Sequence, residues 1–454
     1  LSFNHIFICF AVACTAVVIG QQTFAKIPNH FNDDDQLKVA QIKTNSIEDG
    51  NEHEEWKFVW SGLADFRYAQ TDRERSFLSP DSSGFGGLNP LRYGGRDKNS
   101  DGKGDIHGNA FHLSNLDLVL DLLRDKKSFG HIQIHHDDTS YTSGTGNKLG
   151  IFEAFLQSDL LKKEKWKLNL KAGIFIPHLS FENESLGWST SKTISPSVIN
   201  SWFGEELRLR GAQLALSRQY DFGSINAAIG GFSGNDGLGS ALAWRGWSMH
   251  DSYSYYGRPL RLRQQSLITS GTVDPFVETD DKLGYFARVG LLWQKTLKFS
   301  YTYLDNNGDK TIRDTVTRNW AWDTSFHHFG LSFFKFSNYE FMAQAIKGNG
   351  KAGRAPEVNI DFESFYLLLN RQWSKLEASV RFEQFAVLDK DDKADKNYQR
   401  GKAWTYAIQW NFDQRQLLML EAVSMWANRP GMESYSQSSE ELSSLYQLNY
   451  RCYF

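Results

Sequence analysis

From Trp56 onward, apolar and polar residues alternate with a period of two. Trp56, Phe58 and Trp60, resuming at Ala64, Phe66 and Tyr68, form one face; Lys57, Ser61, Asp65 and Arg67 form the other. The same pattern returns at residues 116–122, 130–136, 152–158, 166–174, 212–216, 224–232, 285–293 and 297–303. It continues at 329–333, 339–345, 365–369, 376–382, 404–412 and 418–426, and in the final strand. Its cleanest form sets Trp404, Tyr406, Ile408, Trp410 and Phe412 against Thr405, Ala407, Gln409 and Asn411. In the last segment Tyr446, Leu448, Tyr450, Cys452 and Phe454 oppose Gln447, Asn449 and Arg451. Side chains two apart share a face of a strand, so each segment predicts a strand that is apolar on one side and polar on the other.

The segments number about sixteen, and an even count suits a closed antiparallel barrel. The connections alternate long and short. Long ones span residues 71–109, 177–205, 233–282 and 305–325; short ones span 125–127, 294–296, 337–338 and 413–416. A sandwich or propeller gives no such strict alternation, whereas membrane barrels have short turns at one rim and long loops at the other. The expected fold is therefore all-β: a transmembrane antiparallel β-barrel of about sixteen strands, with lipid outside and a polar lumen.

Composition agrees. Aromatic residues make up 14% of the 454 residues, with 14 Trp, 18 Tyr and 33 Phe, which suits aromatic girdles at two membrane interfaces. Proline is scarce at 9, as a hydrogen-bonded sheet requires. A net charge of −3 argues against nucleic-acid binding. Mean hydropathy is −0.48, and beyond the N-terminus no apolar run reaches the roughly 18 residues of a spanning helix.

Residues 6–20 form a short apolar run followed by Thr23-Phe24-Ala25, which reads as a secretory signal peptide over residues 1–25 cleaved near Ala25. The run lacks a basic start, and a lipoprotein signal ending at Cys14 is the alternative. With Cys9 and Cys14 removed, only Cys452 remains, and no intramolecular disulfide can form. Residues 26–55 are polar and mixed in charge, an expected flexible periplasmic lead-in, and residues 56–454 are the expected barrel domain.

The first long loop carries Asp97-Lys98-Asn99-Ser100-Asp101-Gly102-Lys103-Gly104-Asp105. Side-chain oxygens of Asp97, Asn99, Asp101 and Asp105, with the Lys103 carbonyl, could wrap one structural calcium ion; a solvated acidic turn is the other reading. Asp305-Asn306-Asn307-Gly308-Asp309 is a shorter echo. No other cofactor is called for.

The loop at 233–282 is long enough to fold into the lumen, and it carries Arg258, Arg261 and Arg263 among tyrosines. Guanidinium groups at a constriction would favour anions; ordinary solvated loop arginines are the alternative. Strand parity places Arg67, Lys167, Lys171, Arg288, Arg381 and Arg451 inward. It does the same for Asp65, Asp117, Asp121, Glu153, Glu340, Glu377, Glu383 and Glu421. Neither sign dominates, so pairing across the wall is expected. His131 and His135 also point inward and His136 outward, a weak metal signal without a third ligand. No nucleophile, base and orienter come together by parity.

The layout resembles that of the Gram-negative outer-membrane porin superfamily, in particular its sixteen-stranded phosphate-selective type. The segment Ile194-Ser195-Pro196-Ser197-Val198-Ile199-Asn200-Ser201-Trp202-Phe203-Gly204-Glu205-Glu206-Leu207 is similar to one in a branch of porin-like proteins whose solute the motif does not define. So is Ala243-Trp244-Arg245-Gly246-Trp247-Ser248-Met249-His250-Asp251. The resemblance implies an outer-membrane channel for passive diffusion of small hydrophilic solutes or ions, with a homotrimer as one assembly to expect. The aromatic Phe454 resembles the signal read by the barrel-assembly machinery. The phosphate-selective members carry a ladder of inward arginines, which the mixed lumen here lacks. A barrel serving as receptor, adhesin or scaffold through its long loops is the second reading, and an outer-membrane enzyme the third.

Overall fold

The computed structural model describes residues 57–71, 76, 90–92, 111–123, 128–137, 149–257, 259–261, 272–315, 319–336, 338–355, 357–393, 398–435 and 438–454. The expected signal peptide and lead-in lie outside the described residues, as do the Asp97–Asp105 loop, Arg258 and Arg263.

Sixteen strands close one antiparallel barrel. The first seven are β1 (Lys57–Thr71), β2 (His112–Leu123), β3 (Ser128–Asp137), β4 (Leu149–Lys163), β5 (Trp166–Phe175), β6 (Leu209–Tyr220) and β7 (Gly223–Ser233). Two short strands, β8 (Leu260–Arg261) and β9 (Thr272–Val273), pair only with each other in the loop that follows. The wall resumes with β10 (Gly284–Trp293), β11 (Leu297–Asp305), β12 (Asp323–Phe336), β13 (Tyr339–Ala352) and β14 (Val358–Trp373). It ends with β15 (Leu376–Asp389), β16 (Gln399–Asn411), β17 (Gln416–Asn428) and β18 (Glu440–Tyr453). Neighbours in sequence are neighbours in the sheet, β7 pairs with β10, and β18 returns to β1 with Asp65 opposite Arg451. Closure leaves no strand edge in the wall, the condition for a sheet to sit in hydrocarbon.

Side-chain direction follows parity. On β16, Trp404, Tyr406 and Trp410 are 43%, 52% and 54% exposed, while the alternating Thr405, Ala407 and Gln409 are 0%, 4% and 7%. An apolar exposed face over a closed, inward-packed one is the reverse of a soluble barrel. Among the described residues no helix is long and apolar enough to cross a membrane.

Short turns join the strands at one rim. At Gln294 and Lys295 both φ values are positive, 48° and 56°, and the Thr296 amide donates to the Trp293 carbonyl at 2.9 Å. Positive φ at both turn positions matches the twist of a tight hairpin.

The wall is uneven in height. β5, β10 and β11 have 10, 10 and 9 residues, whereas β13, β14 and β15 have 14, 16 and 14. Beside the short strands the chain turns inward: residues 176–208 after β5, and residues 234–257 after β7, fill space within the barrel. The expectation of lumen faces polar throughout is corrected here. β14 presents Val358, Ile360, Phe362, Tyr366 and Leu368 to the interior, all buried. They pack against Trp202, Phe203 and Trp247 of the inner segments, with Trp202 at 5.2 Å from Phe362 and 5.9 Å from Trp247 between ring centroids. The barrel's apolar core thus lies inside, near the long-loop rim. On its outer face at that height β14 carries Asp361 and Glu363, paired with Lys390 and Lys347 at 3.6 and 3.5 Å. Those exposed pairs mark where the wall rises past its apolar belt.

Candidate functional site: the lumen and its inner segments

The first inner segment is built around a short helix, α1 (Val198–Glu206), every residue of which is buried. Ser197 caps it by accepting from the Asn200 amide at 3.3 Å. The other free amides at that end meet carboxylates. The Val198 amide donates to Glu383 of β15 at 2.8 Å, and the Ser197 amide to Glu182 at 2.7 Å. A helix N-terminus favours negative charge, so two carboxylates are well placed there.

Arg381 of β15 joins them. Its guanidinium donates to Glu383 and Glu182 at 3.0 Å each, and to the carbonyls of Ser195 and Pro196 at 2.9 and 3.1 Å. Next to it Glu421 of β17 accepts from the amides of Ile194 and Ser195, at 2.5 and 3.0 Å, and from Gln447 at 3.0 Å. Lys192 bridges Glu377 and Glu340 at 2.9 and 3.3 Å. Arg451 donates to the Thr190 carbonyl at 2.5 Å and to Asp65 at 2.9 Å. Residues 182–195 are therefore tied to β13, β15, β17 and β18 at once, and through Arg451 to β1.

The second inner segment includes the short helix α2 (Ser240–Trp244). Glu206 at the end of α1 accepts from Gly239 and Ala241 amides and the Ser240 hydroxyl, each at 2.9 Å, and from the Trp202 indole. Burial and the adjacent Glu205 push its carboxyl up to about 7. Burial also pushes Glu205 up, but Arg245 and His250 outweigh it and hold that carboxyl at about 2. Farther along, Asp251 accepts from Arg67 at 2.5 Å and from Arg92, and Arg92 reaches Asp137 at 3.1 Å. Both segments quoted above for their resemblance to porin-like proteins, Ile194–Leu207 and Ala243–Asp251, thus lie inside the barrel.

The remaining wall, on β5 to β7 and β10 to β11, is lined with smaller side chains. A cavity of about 80 Å³ lies there between Asn226, Arg288, Lys298 and His178. Lys298 reaches Glu184 at 3.2 Å. Lys171 lies 4.5 Å above the Phe155 ring, and Lys167 is 3.6 Å from Asp159. At the short-turn rim a vestibule of about 1020 Å³ opens among Lys192, Glu377, Gln409, Asn411 and Arg415.

The sequence-predicted basic residues therefore divide. Arg381 is inward but spent on the inner segment; Arg288 faces the small cavity; Lys167 and Lys171 line the same side of the wall. Arg261 lies in β8, and its side chain is outside what is described. His131 and His135 bond to Asp121 and Asp117 at 2.8 Å each, and among the described residues neither bonds to a serine or cysteine. Sequence reading missed Glu182, Lys192, Lys298 and Asp251. The first two and Asp251 sit in segments without periodicity. Lys298 alternates correctly on β11 and was within reach of parity.

No family model and no curated protein matches the chain. Solved structures do. OmpTdeltaL8, a loop-deletion mutant of an outer membrane protein of Vibrio cholerae, is 9% identical with a TM-score of 0.50, over 88% of this chain and 99% of that one. The outer membrane channel DcaP of Acinetobacter baumannii is 11% identical with a TM-score of 0.50, over 90% of this chain and all of that one. The fold is that of outer-membrane β-barrels. At these identities the likeness extends to the fold alone.

Proposed function

We propose that this chain is an outer-membrane porin-like channel through which small hydrophilic solutes or ions diffuse passively. The observation that carries the reading is the inversion of polarity across the wall. Trp410 and Tyr406 face out, and Gln409, Glu421, Asn449 and their neighbours face in. With short turns toward the periplasm, the vestibule beside Lys192 is the periplasmic mouth, and the inner segments form the constriction.

A small cavity beside that constriction is bordered by the basic Arg288 and by Lys298, which pairs with Glu184. Lys171 lies on the same wall, so anions should be drawn there more strongly than in free solution. Arg258, Arg261 and Arg263, if the outer loop folds over the same side, would add to that lining. Secretion through the N-terminal signal, insertion by the barrel-assembly machinery through the strand ending at Phe454, and assembly as a homotrimer complete the proposal. The reading is of a channel rather than an enzyme.

Current steps in a planar bilayer, and their reversal potential in a salt gradient, test it. The wild type should reverse on the anion-preferring side, and Arg288→Gln with Lys298→Gln should move it toward cations. An unchanged reversal potential removes both residues from the selectivity.

One observation favours a second reading, that of a receptor or scaffold barrel. Trp202, Phe203 and Trp247 pack tightly against the inward face of β14, as a plug would. A barrel plugged in this way gives no steps until the inner segment is released.

A further inference from the structure

The loop between β7 and β10 brings three carboxylates together near the long-loop rim, away from the lumen network. Asp236, Glu278 and Asp280 each offer an oxygen, and these oxygens lie within 4.8 Å of one another. Asp236 is 1% exposed. One of its oxygens accepts from the Thr279 amide; the other, Oδ1, is buried with no hydrogen-bond partner. Glu278 repeats the pattern: Oε2 accepts from the Gly234 amide at 2.7 Å, and Oε1 is buried and unpartnered. Asp280 accepts from the amides of Lys282, at 3.0 Å, and Asp309.

Backbone geometry holds this arrangement. Asn235 stands in the left-handed region at φ 63°, its side chain donating to the Glu206 carbonyl at 2.6 Å, and the Trp322 amide donates to the Asp236 carbonyl at 2.7 Å. Asp236 is thereby fixed between α1 and the approach to β12 rather than free to turn to solvent.

Three negative groups so placed need compensation. Among the described residues no lysine, arginine or histidine forms an ion pair with any of them; the nearby Lys282 ammonium goes to Asp309 at 3.3 Å. A buried carboxylate oxygen without a donor costs more than an exposed one, and like charges beside it add to that cost. A cation seated among the three carboxylates would relieve the site.

We propose that Asp236, Glu278 and Asp280 bind a calcium ion. The donor set is all oxygen, two of its oxygens have no other role, and loop carboxylates suit a cation that takes about 6–8 oxygens in flexible geometry. Magnesium demands a stricter octahedron and should bind more weakly. The ion ties the outer loop to the turn before β12 through Asp280 and the Asp309 amide. It also steadies Asn235, and with it the end of α1 in the lumen. The site does not depend on which solute the barrel passes.

The test uses the whole refolded barrel in detergent, stripped with chelator. Calcium titration calorimetry measures stoichiometry, and terbium luminescence sensitised by nearby tryptophan, with Trp322 adjoining the site, reports location. The wild type should bind calcium in this loop, and Glu278→Gln and Asp280→Asn should each weaken that event at least tenfold and dim the terbium signal. Asp97→Ala with Asp101→Ala, in the first long loop, should leave the terbium signal unchanged. Heat-modifiable migration shows that each variant has folded, and the half-buried Glu278 and Asp280 tolerate amides better than Asp236. Calcium binding of equal stoichiometry and affinity in wild type and Glu278→Gln overturns the assignment. So does a wild type that binds no calcium at millimolar concentration.

Discussion

Arg381 on the wall and Glu182 on the inner segment, 199 residues apart in sequence, meet at 3.0 Å in a pair with no solvent contact. The guanidinium also holds Glu383, so one cation serves two buried carboxylates and the carbonyls at the start of α1. A buried ion pair contributes little net stability over an apolar replacement, but removing one partner strands the other. Arg381→Ala should destabilise the folded barrel by about 3–5 kcal/mol. Replacing Arg381, Glu182 and Glu383 together with apolar residues of similar size should recover more than half of that loss. Denaturant unfolding in detergent measures both. A harmless Arg381→Ala would mean that the inner segment is held elsewhere.

Phe454 and Gly62 close the seam between β1 and β18. Each amide donates to the other's carbonyl, at 2.8 and 3.0 Å. The Phe454 ring covers the place where a side chain on residue 62 would start, 2.2 Å from an added Cβ. Gly62→Val should therefore cost about 1–3 kcal/mol by overpacking and slow closure of the barrel. Phe454→Ala should lower the folded yield by uncovering the seam. Heat-modifiable migration after refolding reads both yields. Wild-type yields for both variants would count against the role of this contact.

Glu205 and Glu206 titrate in opposite senses. The Glu206 carboxyl, ordinarily near 4.5, stands at about 7, so the folded state holds its proton more tightly than the unfolded chain does. Its contribution is complete below about pH 4.5 and is lost as pH rises through 7. Glu205 stands at about 2, so its contribution is present above pH 4.5 and is lost as pH falls toward 2. Packing of the inner segments should thus be firmest near pH 4.5–5 and loosen toward neutrality. Intrinsic fluorescence follows this, since the Trp202 indole donates to Glu206. Glu206→Gln should flatten the limb between pH 4.5 and 7. An unchanged limb in that variant would assign the titration to another group.

Much of the wall was legible in the sequence because a strand exposes its environment every second residue. Trp404 to Phe412 announced their outward face without help from any distant contact, and the alternation of long and short connections fixed the closure. The path of residues 176–208 was not legible. Those residues have no period of two, and α1 is buried all round, so it shows no amphipathic stripe. What holds them inside is a set of contacts between residues far apart in sequence, such as Arg381 with Glu182 or Arg67 with Asp251. Parity could put Arg381 in the lumen, but it could not say that the lumen there is filled. The same reason explains the apolar inward face of β14: Ile360 and Phe362 look misplaced until Trp202 and Trp247 arrive against them. The calcium candidate read from the first long loop, Asp97 to Asp105, lies outside the described residues. The acid cluster that the structure does assemble joins Asp236 to Glu278 and Asp280, a spacing with no metal-loop signature.

The most direct measurement is single-channel recording in planar bilayers, comparing the wild type with a variant in which a short glycine–serine bridge replaces residues 179–203. The wild type should give discrete ohmic steps, and the shortened chain larger ones, because the segment removed crosses the lumen. Silence from a correctly folded wild type, together with silence from a shortened barrel that also shows heat-modifiable migration, would contradict a channel and leave the scaffold reading in its place.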